Sequence, residues 1–265
     1  MKILLSIILG LIQGLTEFLP VSSSGHLVLA EHFLGFTRPD ISFEIALHIG
    51  SLIAVLYYFR KEIVDLTLSL FIWTDDRKKD RMFVLYLMVA TFFTGIIGVM
   101  FSDFFESLFS KPMYSALFLS LTGLIVFASD KITTGKLTGS NVGILKSIGI
   151  GLGQSFAILP GISRSGTTIA TGIYFGLERK EAARFSFLLS IPAILGSVVL
   201  KIKDFQDLPK NLILSYSAGA IAAFVSGLLV ISVLIKLVQN KKLKYFAFYC
   251  WGLSILSIIL LLLGL

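Results

Sequence analysis

Charge is scarce in this chain. Of its 265 residues only 15% are Asp, Glu, Lys or Arg, while 55% are hydrophobic and the mean hydropathy is +0.89. A soluble domain carries about a quarter charged residues, so a fold whose surface faces water is excluded. Cysteine is nearly absent as well: Cys250 stands alone inside the last apolar run. An intramolecular disulfide is therefore ruled out, and no redox compartment can be read from it. Low-complexity tracts, long linkers and soluble domains are missing, so one integral domain over residues 1–265 is the expectation. No cleavable leader is expected either. Met1–Leu19 is apolar, but Lys2 is its one basic residue and no small-residue cleavage site follows. The net charge of +7 invites a nucleic-acid reading. Lysines and arginines flanking membrane spans explain it better, and no nucleic-acid partner is expected.

What the chain does have is apolar runs near twenty residues, the length that crosses a bilayer as a helix. Six are long enough or nearly so: Ile41–Phe59, Met82–Phe101, Pro112–Ser129, Phe185–Leu200, Leu212–Ile235 and Tyr245–Leu265. Two regions break the pattern. Lys2–Leu19 runs into the polar Glu17–His26 stretch, and the apolar segment after it, Leu27–Phe36, would rise only about 15 Å as a helix. Val142–Leu159 likewise runs into Pro160–Gly166 and then a short Thr167–Leu177. Both read as re-entrant hairpins, over residues 2–36 and 142–177, with polar tips at mid-membrane. The expected fold is all-α: six transmembrane helices plus two re-entrant helical hairpins.

Basic residues give this layout an orientation. Arg60–Arg81, Asp130–Lys146, Glu178–Arg184 and Lys236–Lys244 carry sixteen Lys/Arg between them and are expected in the cytoplasm. The other side holds six: Lys2, Arg38, Lys111, Lys201, Lys203 and Lys210. The first hairpin then enters from outside and the second from the cytoplasm. Sliding the chain by 141 residues superposes Gly10, Leu11, Gln13, Ser22, Ser24 and Gly25 on Gly151, Leu152, Gln154, Ser163, Ser165 and Gly166. Opposite entry sides and these identities suggest an inverted-topology repeat.

Ionisable groups in lipid are costly and point to function. The first tip supplies Glu17 and His26 with Ser22, Ser23 and Ser24 between them, and Gln13 lies one helical turn before Glu17. The second supplies Arg164 between Ser163 and Ser165, followed by Thr167 and Thr168. Two helix starts, an arginine and several hydroxyls suit phosphate. Plainer roles stand beside these: Glu17 reaching an interface, His26 as a packing or capping residue, the serines as caps, and Arg164 pairing with Glu17 only to lock the hairpins together. Glu44 and His48, four apart, read equally as neighbours of the pocket and as a structural pair. Glycines 10, 14, 149 and 153 permit close helix packing and leave a homodimer open.

Gln13–His26, with the sequence QGLTEFLPVSSSGH, and Pro160–Thr168, with the sequence PGISRSGTT, closely resemble the two signatures of the undecaprenyl-pyrophosphate phosphatase family, also called bacitracin-resistance proteins. The likeness extends through Phe43–Gly50 and Ala183–Pro192 and so covers most of the chain. The resemblance implies the same six-span, two-hairpin inverted repeat in the bacterial inner membrane, with a site opening to the outer, periplasmic side. It implies hydrolysis of undecaprenyl diphosphate to undecaprenyl phosphate and phosphate, which recycles the lipid carrier of cell-wall synthesis. It also implies a need for Mg²⁺ or Ca²⁺. By position it gives Glu17 as the acidic and cation-binding residue, Gln13 before it, Ser22, Ser23, Ser24 and His26 in the first motif, and Arg164 as the phosphate-binding residue with Ser163, Ser165 and Thr168 beside it. Gln13 stands where other members carry glutamate, which puts a two-carboxylate metal site in doubt. Ser23 is the preferred nucleophile, with His26 as proton shuttle or as the nucleophile itself. The rival reading is a transporter or lipid flippase, for which broken helices at mid-membrane are also common.

Overall fold

The computed structural model describes residues 3–33, 41–133, 135–200 and 212–264. Their regular structure is helical. Twelve α-helices are described: α1 Ile3–Phe18, α2 Ser23–Phe33, α3 Ile41–Tyr58, α4 Arg60–Phe71, α5 Lys78–Met100, α6 Ser102–Phe109, α7 Pro112–Asp130, α8 Ile144–Phe156, α9 Arg164–Tyr174, α10 Arg179–Leu200, α11 Ile213–Gln239 and α12 Lys244–Leu262. No strand is present among the described residues; a single bridge pairs Leu137 with Leu177.

Five helices, α5, α7, α10, α11 and α12, are long and apolar enough to cross a membrane. A sixth crossing is counted if α3 and α4 are taken together, although the chain bends by 78° between them. The protein is thus a multi-pass membrane protein, as its composition demands. Each of the six expected spans lies on a helix, with two differences. Helix α10 begins at Arg179, so most of the expected connection Glu178–Arg184 is helical. The expected connection Arg60–Arg81 is also largely helical, as α4, where charged residues mask the periodicity of Ile63, Leu66 and Leu70. Lys2, Arg38, Lys201, Lys203 and Lys210 from the charge count lie outside the described residues, as do residues 34–36 of the first hairpin.

Both hairpins are broken helix pairs, α1 with α2 and α8 with α9. Helices α2 and α9 have 11 residues each, about 16 Å of rise, half a hydrocarbon core. The longer arms pack against long helices through equivalent glycines. A Cβ on Gly10 would lie 2.2 Å from the Gly219 carbonyl oxygen of α11, and one on Gly151 would lie 2.4 Å from the Ala90 carbonyl oxygen of α5. Only a residue without a side chain permits such an approach, which in lipid substitutes for the missing hydrophobic drive between helices. Aromatic packing fills the space beneath the tips, where the Phe18 and Phe187 rings meet edge to face at 5.8 Å and neither is exposed.

Ion pairs fasten the ends of the helices that the charge count places in the cytoplasm. Arg179, itself buried, holds Asp130 at 2.9 Å and donates to the carbonyl oxygens of Ser129, Asp130 and Ile132. Arg184 bridges Glu62 of α4 and Glu181 of α10 and lies over the Phe83 ring.

Candidate active site

The two tips are built alike. Ser163 precedes α9 and its Oγ accepts from the Gly166 amide at 3.0 Å, with Ser165 Oγ at 3.2 Å. Ser22 precedes α2 and its Oγ accepts from the Gly25 amide at 3.2 Å, with Ser24 Oγ at 3.2 Å. These are equivalent positions under the 141-residue shift, and each serine satisfies an amide that a helix start leaves without a partner. The tips also meet: Ser22 Oγ donates to the Ile162 carbonyl at 3.3 Å, and Ser165 Oγ donates to the Leu19 carbonyl at 2.9 Å.

They differ in one respect. Ser163 has φ −75°, an ordinary cap, whereas Ser22 has φ +66°. A left-handed residue other than glycine costs about 1–3 kcal/mol and persists where its surroundings impose it. The residue it presents is Ser23, whose Oγ donates to Glu17 Oε2 at 2.6 Å.

Glu17 collects the rest of the site. Arg164 Nη2 donates to its Oε1 at 2.7 Å, Gln13 Nε2 donates to its Oε2 at 3.1 Å, and His48 Nε2 stands 4.0 Å from Oε2. Arg164 Nη1 is buried with no acceptor among the described residues. Such a group calls for an acceptor, since a buried donor left unpaired is costly. Behind the arginine, Thr122 of α7 fixes the loop: its Oγ1 donates to the Gly161 carbonyl at 2.8 Å and accepts from the Ser163 amide at 2.9 Å.

A cavity of about 270 Å³ lies over these groups, lined by Glu17, Ser22, Ser23, Ser24, His48, Ser163 and Arg164 among others. It adjoins a larger, mainly apolar cavity of about 550 Å³, and Ser24, His48, Phe109, Ile158 and Ser197 line both. The arrangement offers a hydroxyl-rich chamber holding one arginine–glutamate pair beside an apolar one. That combination suits an anionic headgroup on a hydrocarbon chain.

The family model described as "Bacitracin resistance protein BacA" matches residues 6–256. The chain belongs to this family. It is 44% identical to an undecaprenyl-diphosphatase from Methanobrevibacter smithii over 268 residues, covering 97% of this chain and 96% of the relative. It is 41% identical to undecaprenyl-diphosphatase 1 of Shouchella clausii, covering 98% of this chain and 96% of the relative. An undecaprenyl-diphosphatase of Syntrophotalea carbinolica is also 41% identical, with 95% and 96% covered.

In this BacA-family chain Glu17, Ser22, Ser23, Ser24, Ser163 and Arg164 converge on one cavity, and four other expected residues do not line it. His26 is turned outward. Its Nδ1–H donates to the Ser22 carbonyl at 2.7 Å, and its Nε2 accepts from the Tyr249 hydroxyl at 2.7 Å, with the two rings stacked. Both nitrogens are engaged here, and the ring braces the left-handed turn from outside the cavity. Gln13, Ser165 and Thr168 stand behind the cavity wall rather than in it. Gln13 donates to Glu17, Ser165 to the Leu19 carbonyl, and Thr168 to the Arg164 carbonyl at 2.8 Å. Sequence reasoning left His48 undecided, and it lines both cavities. It passed over Thr122, one of several hydroxyls in an otherwise apolar run, with no motif to set it apart from Ser115, Ser120 or Ser129.

The donor set does not form a cation cage. Among the described residues Glu17 is the one carboxylate lining the smaller cavity, and both of its oxygens already accept hydrogens from protein donors. Among the described residues no group of three or more His, Cys, Asp or Glu side chains converges on a common point.

Proposed function

We propose that this chain hydrolyses undecaprenyl diphosphate to undecaprenyl phosphate and inorganic phosphate, returning the lipid carrier to cell-wall synthesis and conferring resistance to bacitracin. The observation that carries this reading is Arg164. Its Nη2 is anchored on Glu17 and its Nη1 has no acceptor among the described residues, at a cavity bordered by two serine-capped helix starts. The relatives' printed activity supplies the substrate.

The terminal phosphoryl group lies against Arg164 and the amides that open α2 and α9. These groups stabilise the charge that gathers on the phosphoryl oxygens in the transition state. Ser23 Oγ passes its proton to Glu17 Oε2 and attacks the terminal phosphorus. The bond to the bridging oxygen breaks, and undecaprenyl phosphate leaves with the electron pair. Water then attacks the phosphoserine, Ser23 Oγ recovers its proton from Glu17, and phosphate carries off the proton from water. His26 and Thr122 position the two tips and touch no reacting atom. Mg²⁺ or Ca²⁺ belongs to the proposal as charge neutralisation for the diphosphate.

The membrane arrangement is part of the same reading. We place α3, α5, α7, α10, α11 and α12 across the inner membrane, and the pairs α1–α2 and α8–α9 as re-entrant hairpins of an inverted repeat. The mirrored serine caps, the glycine contacts of Gly10 and Gly151, and the sixteen-to-six charge asymmetry support it. The larger cavity runs from His48 towards Glu44 and Glu31, on the helix ends that flank residues 34–40. The charge count puts that end outside, so the site opens to the periplasmic face.

The test is phosphate release by the detergent-purified protein supplied with undecaprenyl diphosphate and Mg²⁺. Release is expected from the wild type and is expected to be lost in Arg164→Ala and Glu17→Ala. Unchanged release in both variants would refute the site.

A further inference from the structure

We infer that the divalent cation of this reaction enters bound to the diphosphate, and that the substrate-free protein holds none. The inference rests on reading the smaller cavity as the diphosphate site.

Three donors aim hydrogens at the two oxygens of Glu17: Arg164 Nη2, Ser23 Oγ and Gln13 Nε2. A cation binds through the same lone pairs. The guanidinium 2.7 Å away is also a positive charge that any dication on this carboxylate would have to approach. No second carboxylate lines this cavity to offset that repulsion, because Glu31, Glu44 and Glu106 line only the larger one. The hydroxyls of Ser22 and Ser163 are tied up as helix caps. Mg²⁺ requires about six oxygen ligands and dehydrates reluctantly, so sites with one or two carboxylates are normally completed by substrate phosphates.

A diphosphate reverses each of these conditions. It gives the unpartnered Arg164 Nη1 an oxygen to bind, draws the guanidinium's charge onto itself, and supplies chelating oxygens in place of the missing carboxylate. Cation and lipid therefore assemble the site together, and the cation requirement belongs to the ternary complex.

Electron paramagnetic resonance of Mn²⁺ tests this without turnover. The full chain in detergent is titrated with Mn²⁺, alone and with a non-hydrolysable C15 prenyl methylenediphosphonate. Arg164→Ala in the same micelles reports what the analogue binds by itself, and elution volume and melting temperature confirm that each variant is folded. The expected result is no loss of the free Mn²⁺ signal with wild-type protein alone, and a loss approaching one Mn²⁺ per chain, beyond that seen with Arg164→Ala, once the analogue is present. One Mn²⁺ bound per substrate-free chain, and released by the isosteric Glu17→Gln, would overturn the inference and restore Glu17 as a resident ligand. If wild type and Arg164→Ala gave the same signal with analogue, the premise would fall instead, and the phosphate-release assay would fail with it.

Discussion

Replacing Arg164 by lysine keeps the positive charge and removes the fork. In the wild type one guanidinium nitrogen is spent on Glu17 at 2.7 Å while the other is free of any described acceptor. A single ammonium can satisfy the carboxylate or reach the phosphoryl group, but it cannot span both as a planar fork does. What is lost is one hydrogen bond between charged partners, about 1.5–3 kcal/mol. At about 1.36 kcal/mol per tenfold in rate, kcat/KM should fall by about 10- to 150-fold. Phosphate release from undecaprenyl diphosphate over a range of substrate concentrations gives kcat and KM, and a melting curve gives the fold. The melting temperature should stay close to wild type, because the lysine still neutralises the buried Glu17. Arg164→Ala, by contrast, strands that carboxylate at a cost of about 3–5 kcal/mol and should melt earlier. A lysine variant with kcat/KM within twofold of wild type would show that the second nitrogen has no work at the phosphate, and the assignment of the cavity would fail.

Other substitutions separate positioning from chemistry. Thr122→Val keeps the shape of the side chain and removes both bonds to the loop before Arg164, leaving the Ser163 amide unpaired at about 1–3 kcal/mol; kcat should drop in Val and largely return in Thr122→Ser. His26→Ala should lower kcat by releasing the strained Ser22 turn, whereas Tyr249→Phe removes only the outer bond, worth about 0.5–1.5 kcal/mol, and should cost less than about tenfold; a Tyr249→Phe defect as deep as that of His26→Ala would contradict this order. Asp130→Leu leaves Arg179 without its carboxylate and should destabilise the protein by about 3–5 kcal/mol, read as a lower melting temperature with kcat unchanged at low temperature.

The membrane class, the helix-forming runs and both polar tips are legible in the sequence because they rest on length and local polarity alone. Length fails at α4, where Glu62, Asp65 and Thr67 interrupt an apolar pattern that becomes sensible only once the chain turns by 78° after Phe59. The meeting of Glu17 with Arg164 follows from opposite entry sides, with a lock and a phosphate site both open; the Nη2 bond is the lock, and the unpartnered Nη1 is what the phosphate proposal rests on. Side-chain direction was out of reach. Whether His26 faces the cavity or Tyr249 depends on the rotation of α2 about its axis, which the left-handed Ser22 sets and which no spacing of residues encodes. Thr122 escaped for a related reason: its partners are backbone atoms of a loop 39 and 41 residues away, and backbone atoms leave no signature in side-chain identity.

The exchanged serine bonds set a schedule for biogenesis. Ser22 needs the carbonyl of Ile162, and Ser165 needs that of Leu19, partners 140 and 146 residues apart along the chain. During synthesis from the N-terminus the first tip must therefore wait in the bilayer with only its local bonds to His26 and Gly25 until more than half of the protein has been made. A ribosome-stalled intermediate ending before Ile162 should carry a complete first hairpin that is exposed, pliable and catalytically silent, and co-expressed halves split between α6 and α7 should regain their competence only on finding each other.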